Sequence, residues 1–326
     1  MDGVSGELSC SSRSELAVDG RGGTDPRKCD FCGSSDSRCV ATRADGARVL
    51  ECVTCGLAFL ERFPSAEQLS TLYGRPYFEK EGDQAGDVGV GYDDYVGTVR
   101  CQKMLTHAPI LDVIQKYRPL KGARVLEVGC ATGEMLLLAQ QAGAEVMGVE
   151  PSEFAAAIAR ERYGLPVVTS PFEVAPLPNG TYDIVVSVDV IEHVLSPVGF
   201  LRKCSALVRE GGLVALVTPN YECARWLGNE WLGFQRSFEH LFFLCPDVLI
   251  RMAWACGLTL RTWYTRGSPR FRNAAPIPRV LRDFLTRIPG IRPLYRALAR
   301  SLWSKSGWQW EEFGHGHSLL MVFERG

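Results

Sequence analysis

The chain has 326 residues, 46% of them hydrophobic, and a formal net charge of −1. That length accommodates one α/β domain of ordinary size plus a small accessory module, and near-neutral charge argues against a general nucleic-acid binder. No apolar run reaches the roughly eighteen residues of a membrane-spanning helix. Residues 1–26 are rich in Ser, Gly and Asp, lack the basic start and apolar core of a secretion signal, and read as a disordered tail.

Twelve cysteines would suit a disulfide framework in a secreted chain. Four of them, however, fall in paired metal spacing: Cys29 and Cys32, nineteen intervening residues, then Cys52 and Cys55. A glycine follows the second thiolate of each pair, so two tight knuckles can bring four sulfurs onto one tetrahedral ion. Strands over 48–51 and 57–60 complete a ribbon, and residues 27–63 are expected to form a zinc-ribbon module. A closed four-thiolate site has no open position for substrate, so this zinc would fold the module rather than perform chemistry. Cys39 lies outside the paired spacing and takes no metal role. With most other cysteines inside apolar patterns, a reducing cytoplasm is the expected compartment.

Residues 64–120 read as a linker with helices. Residues 64–73 form a short helix with a start resembling a capping box, and 99–117 has apolar positions at helical spacing. Between them lies a Gly- and Asp-rich stretch, 81–94, with Tyr92 inside it and Tyr95 just beyond. It serves equally as a lid over a pocket or as a plain linker.

From Arg124 the pattern alternates regularly. Strands are expected at 124–129, 145–149, 166–169, 182–188 and 213–218, with helices at 133–142, 152–163 and 197–209 between them, and Gly211 and Gly212 breaking the last helix. A helix over 246–256, a strand over 258–264 and a final strand over 317–324 follow. Continuous apolar strands separated by helices mean a parallel sheet covered on both faces. Gly129 and Gly133 bracket a tight turn between the first strand and its helix, and the second strand ends on Glu150. Glycines let the backbone approach a ligand closely, and a carboxylate suits a ribose diol. The insertion 265–316 carries nine arginines from Arg266 to Arg300 against one acid, Asp283, interleaved with apolar residues. A solvated basic face, a phosphate-bearing substrate and peripheral contact of 277–303 with an anionic membrane all remain open.

These residues, taken in order, resemble the class I S-adenosylmethionine-dependent methyltransferases over 121–326. The resemblance rests on Val125-Leu-Glu-Val-Gly-Cys-Ala-Thr-Gly133, Gly148-Val-Glu150, Tyr182-Asp-Ile-Val-Val186, Asp189-Val-Ile-Glu-His193 and Leu207-Val-Arg-Glu-Gly-Gly-Leu213. Glu239-His-Leu-Phe-Phe-Leu-Cys-Pro246 resembles a stretch of the small-molecule branch, and a four-cysteine N-terminal module recurs in a subset of it. The resemblance implies a Rossmann-like, doubly wound seven-stranded sheet whose last strand is antiparallel and inserted beside the fifth. It implies that Glu127, Gly129 and Gly133, with Cys130 and Ala131 in the turn, frame the methionine and ribose of S-adenosylmethionine. Glu150, followed by Pro151, would accept the ribose hydroxyls, Pro171 and Phe172 would flank the adenine, and Asp189 and Val190 would face the reacting methyl. Ala131 departs from the family, which commonly has a glycine there; one methyl group should shift the turn only slightly. The alternative role for Asp189 and Glu192, the less favoured one, is to cap the helix that follows the strand.

Methyl transfer from a sulfonium asks a protein mainly for alignment and exclusion of water, with a base only where the acceptor must lose a proton. His193 and His240 are the candidates for that base, His240 with Trp231, Phe234 and Phe238 around it as an apolar acceptor wall; a structural role is open for each. The expected activity is methylation, on oxygen first, of a small molecule: a secondary metabolite, a sugar or a lipid-linked glycan, with an anionic acceptor open. Two alternatives are an RNA or protein methyltransferase gripping its target through the zinc module, and a nicotinamide-dependent oxidoreductase. Gly129-x-x-x-Gly133 fits the nicotinamide fingerprint poorly.

Overall fold

The computed structural model describes residues 27–64, 75–78, 95, 100–235, 239–267, 310–312 and 316–326. The expected tail 1–26, the helix over most of 64–73, the stretch 81–94, nearly all of the basic insertion and Phe238 lie outside them. No described helix is long and apolar enough to cross a membrane.

Strands β1 (Ser37–Thr42), β2 (Arg48–Cys52) and β3 (Ala58–Leu60) form an antiparallel N-terminal ribbon. β1 went unrecognised in the sequence. Gly33 and Gly56 sit at φ 74 and 76, a left-handed conformation that costs glycine little. Their amides return to the carbonyls of Cys29 and Cys52 at 2.9 and 2.8 Å, closing both knuckles. The four sulfurs of Cys29, Cys32, Cys52 and Cys55 converge within 4.8 Å of one another.

Helix α1 (Arg100–Gln115) leads into the main sheet: β4 (Arg124–Val128), α2 (Glu134–Gln141), β5 (Glu145–Glu150), α3 (Glu153–Tyr163), β6 (Val167–Thr169), β7 (Tyr182–Val188), α4 (Pro197–Leu207) and β8 (Val208–Pro219). After the two-residue β9 (Phe242–Phe243) come α5 (Pro246–Ala255), β10 (Leu258–Arg266), β11 (Glu311–Glu312) and β12 (Ser318–Arg325). The sheet order is β11-β10-β12-β8-β7-β4-β5-β6. β6, β5, β4, β7 and β8 are parallel; β12 runs antiparallel between β8 and β10. The expected seven strands and the inserted last strand are present, with β11 as a two-residue eighth at the edge.

Alternation along each strand sorts side chains to two faces. Leu319, Met321 and Phe323 of β12 join Leu126, Val185 and Leu216 under α4, α5 and the ribbon. Leu320 and Val322 join Val125, Ile184 and Ala215 under α1 and α2. Buried on both faces, these strands read as continuous apolar runs, which is why the sequence revealed them.

Two expectations need correction. The glycine pair 211–212 does not end a helix: α4 stops at Leu207 and β8 runs through both glycines. Gly211 at φ 66 lets the strand bulge, and the β7–β8 register shifts between Tyr182 and Ile184. Nor do Asp189 and Glu192 cap a helix. Residues 189–195 are turn and bend, and the cap of α4 is Ser196, whose Oγ accepts the Gly199 amide at 2.9 Å.

Candidate active site

The sheet order reverses at β4, with β5 on one side and β7 on the other. Side connections leaving in opposite directions open a crevice beyond the carboxyl ends of these strands. A cavity of about 640 Å³ lies there, lined among others by Gly129, Ala131, Glu150, Pro151, Pro171 and Phe172 at one end and by Asp189, Val190, Glu192, His193, Glu239 and His240 at the other. Of the residues expected to hold the cofactor, Glu127, Cys130 and Gly133 do not line it.

The glycine turn is fixed by contact as much as by conformation. Gly129 is at φ 71, and a Cβ on it would lie 2.4 Å from Val190 Cγ2. Gly133, at φ 86, would place a Cβ 2.6 Å from Leu165 Cδ1. The turn therefore packs directly on the loop after β7 and on the segment leading into β6. Ala131 takes φ 45, so the departure from glycine keeps the left-handed geometry and carries its strain.

Glu150 binds the turn to the end of β5. Its Oε2 accepts the Ala131 amide and its Oε1 the Ser152 amide, both at 2.9 Å. Burial pushes its carboxyl up to about 7, against the opposing pull of those two amides. Deeper still, burial and the neighbouring Glu134 hold Glu127 well above the usual carboxylate range. Phe172 packs at a tilt against Phe200, centroids 5.1 Å apart and ring planes at 56°, with one face toward the Lys203 ammonium.

The other end carries the titratable groups. Asp189 sits at φ 54 with Lys103 Nζ 3.6 Å from its carboxylate. Glu192 is 1% exposed. Its Oε2 accepts the Thr218 hydroxyl at 3.0 Å, while Oε1 has no hydrogen-bond partner among the described residues. That oxygen lies 3.8 Å from His193 Nε2 and 4.0 Å from His240 Nε2, and the two imidazoles meet edge to face at 4.7 Å. Burial, reinforced by Asp189, raises the Glu192 carboxyl well above its ordinary range. Burial draws His193 down to about 4; burial, then His193 and Arg43, holds His240 well below its usual value. Both imidazoles are therefore neutral at pH 7. One ligand atom from each of Glu192, His193 and His240 falls within a 4.8 Å cluster, a donor set suited to a divalent cation.

His193 and His240 both line the cavity, whereas the described residues of the aromatic wall expected around His240 do not. Trp231 and Phe234 are buried against Tyr221 and Phe243, centroids 5.0 to 6.2 Å apart, and do not line the cavity. The cavity's aromatic side chains are instead Tyr77, Phe78 and Tyr95, besides Phe172. Phe78 stands 5.4 Å from Tyr95 and 6.2 Å from Phe154. Lys103 lines the cavity without having been singled out in the sequence, whereas Glu192 and Glu239 stood inside two of the stretches that carry the resemblance.

Comparison with known proteins agrees with this geometry. Residues 104–262 match the family model described as a methyltransferase domain. A ubiquinone biosynthesis O-methyltransferase of Methylocella silvestris is 37% identical over 154 residues, 44% of this chain and 60% of that protein. Its counterpart in Chromobacterium violaceum is 31% identical over 165 residues, 47% of this chain and 71% of that protein. The first two curated relatives are thus matched over only 60% and 63% of their length. A solved S-adenosylmethionine-dependent methyltransferase from Thermotoga maritima shares the fold at 17% identity, with a TM-score of 0.50 over 71% of this chain and 97% of that one. The chain belongs to the class I S-adenosylmethionine-dependent methyltransferases.

Proposed function

We propose that the chain methylates a hydroxyl oxygen of a small-molecule acceptor, with S-adenosylmethionine held between Glu150 and Asp189. The observation that carries this reading is one cavity with a ribose-type carboxylate at one end and a Glu–His–His group at the other. The relatives' printed role in ubiquinone biosynthesis O-methylation supports oxygen as the acceptor atom. When bound, S-adenosylmethionine supplies a sulfonium methyl for in-line displacement. Glu150 accepts the ribose hydroxyls, and Pro171 and Phe172 flank the adenine. Residues 129–133 hold the methionine end by their backbone, with Glu127 buried beneath them. Asp189 and Val190 border the place of transfer, and Tyr77, Phe78 and Tyr95 exclude water.

His240, with His193 beside it, takes the acceptor proton. Burial keeps both imidazoles unprotonated and able to accept. His240→Ala should lower turnover by about 10²–10⁴ while S-adenosylhomocysteine still binds in calorimetry. Unchanged turnover would remove the histidine from the chemistry.

A second reading of the same group is favoured by the unpartnered Glu192 Oε1: Glu192, His193 and His240 hold a divalent cation that acidifies the acceptor hydroxyl. Titration of metal-stripped protein with Mn²⁺, followed by paramagnetic broadening of the histidine signals, separates the two. No broadening, or equal broadening in Glu192→Gln, leaves only the base.

Cys29, Cys32, Cys52 and Cys55 are proposed to hold a structural zinc, since a tetrahedral thiolate site needs four sulfurs at mutual distances of this order. An RNA or protein acceptor is the weaker reading, because the module's cysteine knuckles face the chain's own catalytic domain. An anionic or lipid-linked acceptor, and membrane contact through 277–303, rest on the arginine run alone.

A further inference from the structure

The four-cysteine ribbon does not stop at its third strand. β3 pairs with β9 of the catalytic domain, Ala58 opposite Phe243 and Phe59 opposite Phe242, so the ribbon's sheet is completed by residues that immediately follow His240. The Leu60 amide donates to the Leu241 carbonyl at 2.9 Å. Arg43 reaches across from the ribbon: its Nη1 donates to the His240 carbonyl at 3.1 Å, while Asp45 holds its Nε and Nη2 at 3.1 and 2.5 Å. This guanidinium is buried, with the whole residue 5% exposed. On the far side of the same segment, the Leu241 and Phe242 amides both donate to the Glu192 carbonyl, at 2.8 and 3.0 Å.

Residues 240–243 are therefore clamped between the cysteine module and the main chain of Glu192. A two-residue strand has too few ladder bonds to hold its own place, and its order comes from what it pairs with. Two further ties bring the knuckles themselves to the catalytic domain: Arg251 Nη2 donates to the Cys55 carbonyl at 2.7 Å, and the Val198 amide to Asp30 Oδ2 at 3.0 Å.

We propose that the four-cysteine module is a positioning part of the acceptor end, in which Arg43 and β3 set His240 against Glu192 and His193. Arg43 is a positioning residue; it does not line the cavity. The inference rests on the reading that His240 belongs to the acceptor end, and it differs from a module that only adds stability or grips a macromolecule. The bidentate hold of Asp45 fixes the fork of Arg43, so its third nitrogen presents one donor in one direction.

The test uses the full chain with S-adenosylhomocysteine added, comparing wild type with Arg43→Met, which keeps the apolar stem and removes the donors. Amide exchange at Leu241 and Phe242 should accelerate at least tenfold, and the His240 imidazole signals should shift. Exchange at Leu126 and Val186 in the central sheet, and S-adenosylhomocysteine affinity, should stay within twofold. Arg43→Lys should fall between the two, because an ammonium restores the charge without the fork. Should Arg43→Met fail to fold, Asp45→Asn loosens the same fork and is read in the same way. Unchanged protection at Leu241 and Phe242, or protection lost only together with that of Leu126 and Val186, overturns the proposal. These exchange rates do not depend on whether His240 takes a proton, so the catalytic reading and this one fail separately.

Discussion

Raising the pH from 6 to 8 should tighten S-adenosylhomocysteine binding about tenfold, and Glu150→Gln should abolish that dependence. Burial holds the Glu150 carboxyl at about 7 in the free protein, although two backbone amides already favour its charged form. At pH 6 roughly nine in ten molecules carry the proton, and at pH 8 roughly one in ten. A ribose diol arrives with two donors, so it binds the carboxylate and expels the proton. The penalty at pH 6 is then about 1.4 kcal/mol, one tenfold step. At pH 8 Glu150→Gln should bind about 10–100-fold more weakly, the worth of hydrogen bonds to a charged acceptor. Calorimetry in two buffers of different ionisation enthalpy counts the proton released on binding, close to one at pH 6 and near zero at pH 8. A flat wild-type profile, or the same slope in Glu150→Gln, would refute the assignment of Glu150 to the ribose.

The same proton affects folding with the opposite sense. The folded pKa of Glu150 lies above its ordinary 4.5, so the fold retains a proton the unfolded chain releases, and ligand-free stability falls as pH rises from about 4.5 to about 7. The loss is up to about 3 kcal/mol, read as the slope that Glu150→Gln removes from denaturant midpoints. Gly129→Ala should abolish cofactor binding, since its Cβ would meet Val190 Cγ2 at 2.4 Å in a left-handed backbone; adding Val190→Ala relieves the clash but not the φ, so calorimetry should show only partial recovery. Ala131→Gly should raise thermal stability by up to about 1 kcal/mol, by removing the cost of φ 45. Cys52→Ser should release zinc, measured by elemental analysis against the wild type.

What the sequence could announce was whatever repeats locally. Strands β4, β5 and β7 were legible because burial on both faces makes them unbroken apolar runs, and Gly129, Gly133 and Glu150 because a tight turn and a terminal acid have fixed spacing. Gly211 and Gly212 misled for a physical reason: the same freedom that ends helices also permits a bulge within a strand. Trp231 and Phe234 misled because an aromatic side chain fits a ligand cavity or an interface between modules equally well, and only tertiary structure decides. β9 was invisible because its pairing with β3 spans about 180 residues. The contribution of Lys103 was invisible for the same cause, and Tyr95 was legible only as the flank of a possible lid, since nothing around them in the chain marks which cavity they will meet.

The place of β12 has a consequence for the order of events in folding. Among the described strands it comes after all those it joins, yet it lies between β8 and β10 rather than at an edge. During synthesis from the N-terminus, the parallel strands and α5–β10 exist before the strand that must join them, and β8 and β10 meanwhile present unpaired edges on apolar strands. Such edges are sites for mispairing and aggregation. Closure also waits on contacts of long sequence separation, β7 through β8 to β12, which slow folding. Refolding should therefore pass through a state in which β4, β5 and β7 are protected from exchange while β8 and β10 are not. Its lifetime should set how readily the chain aggregates.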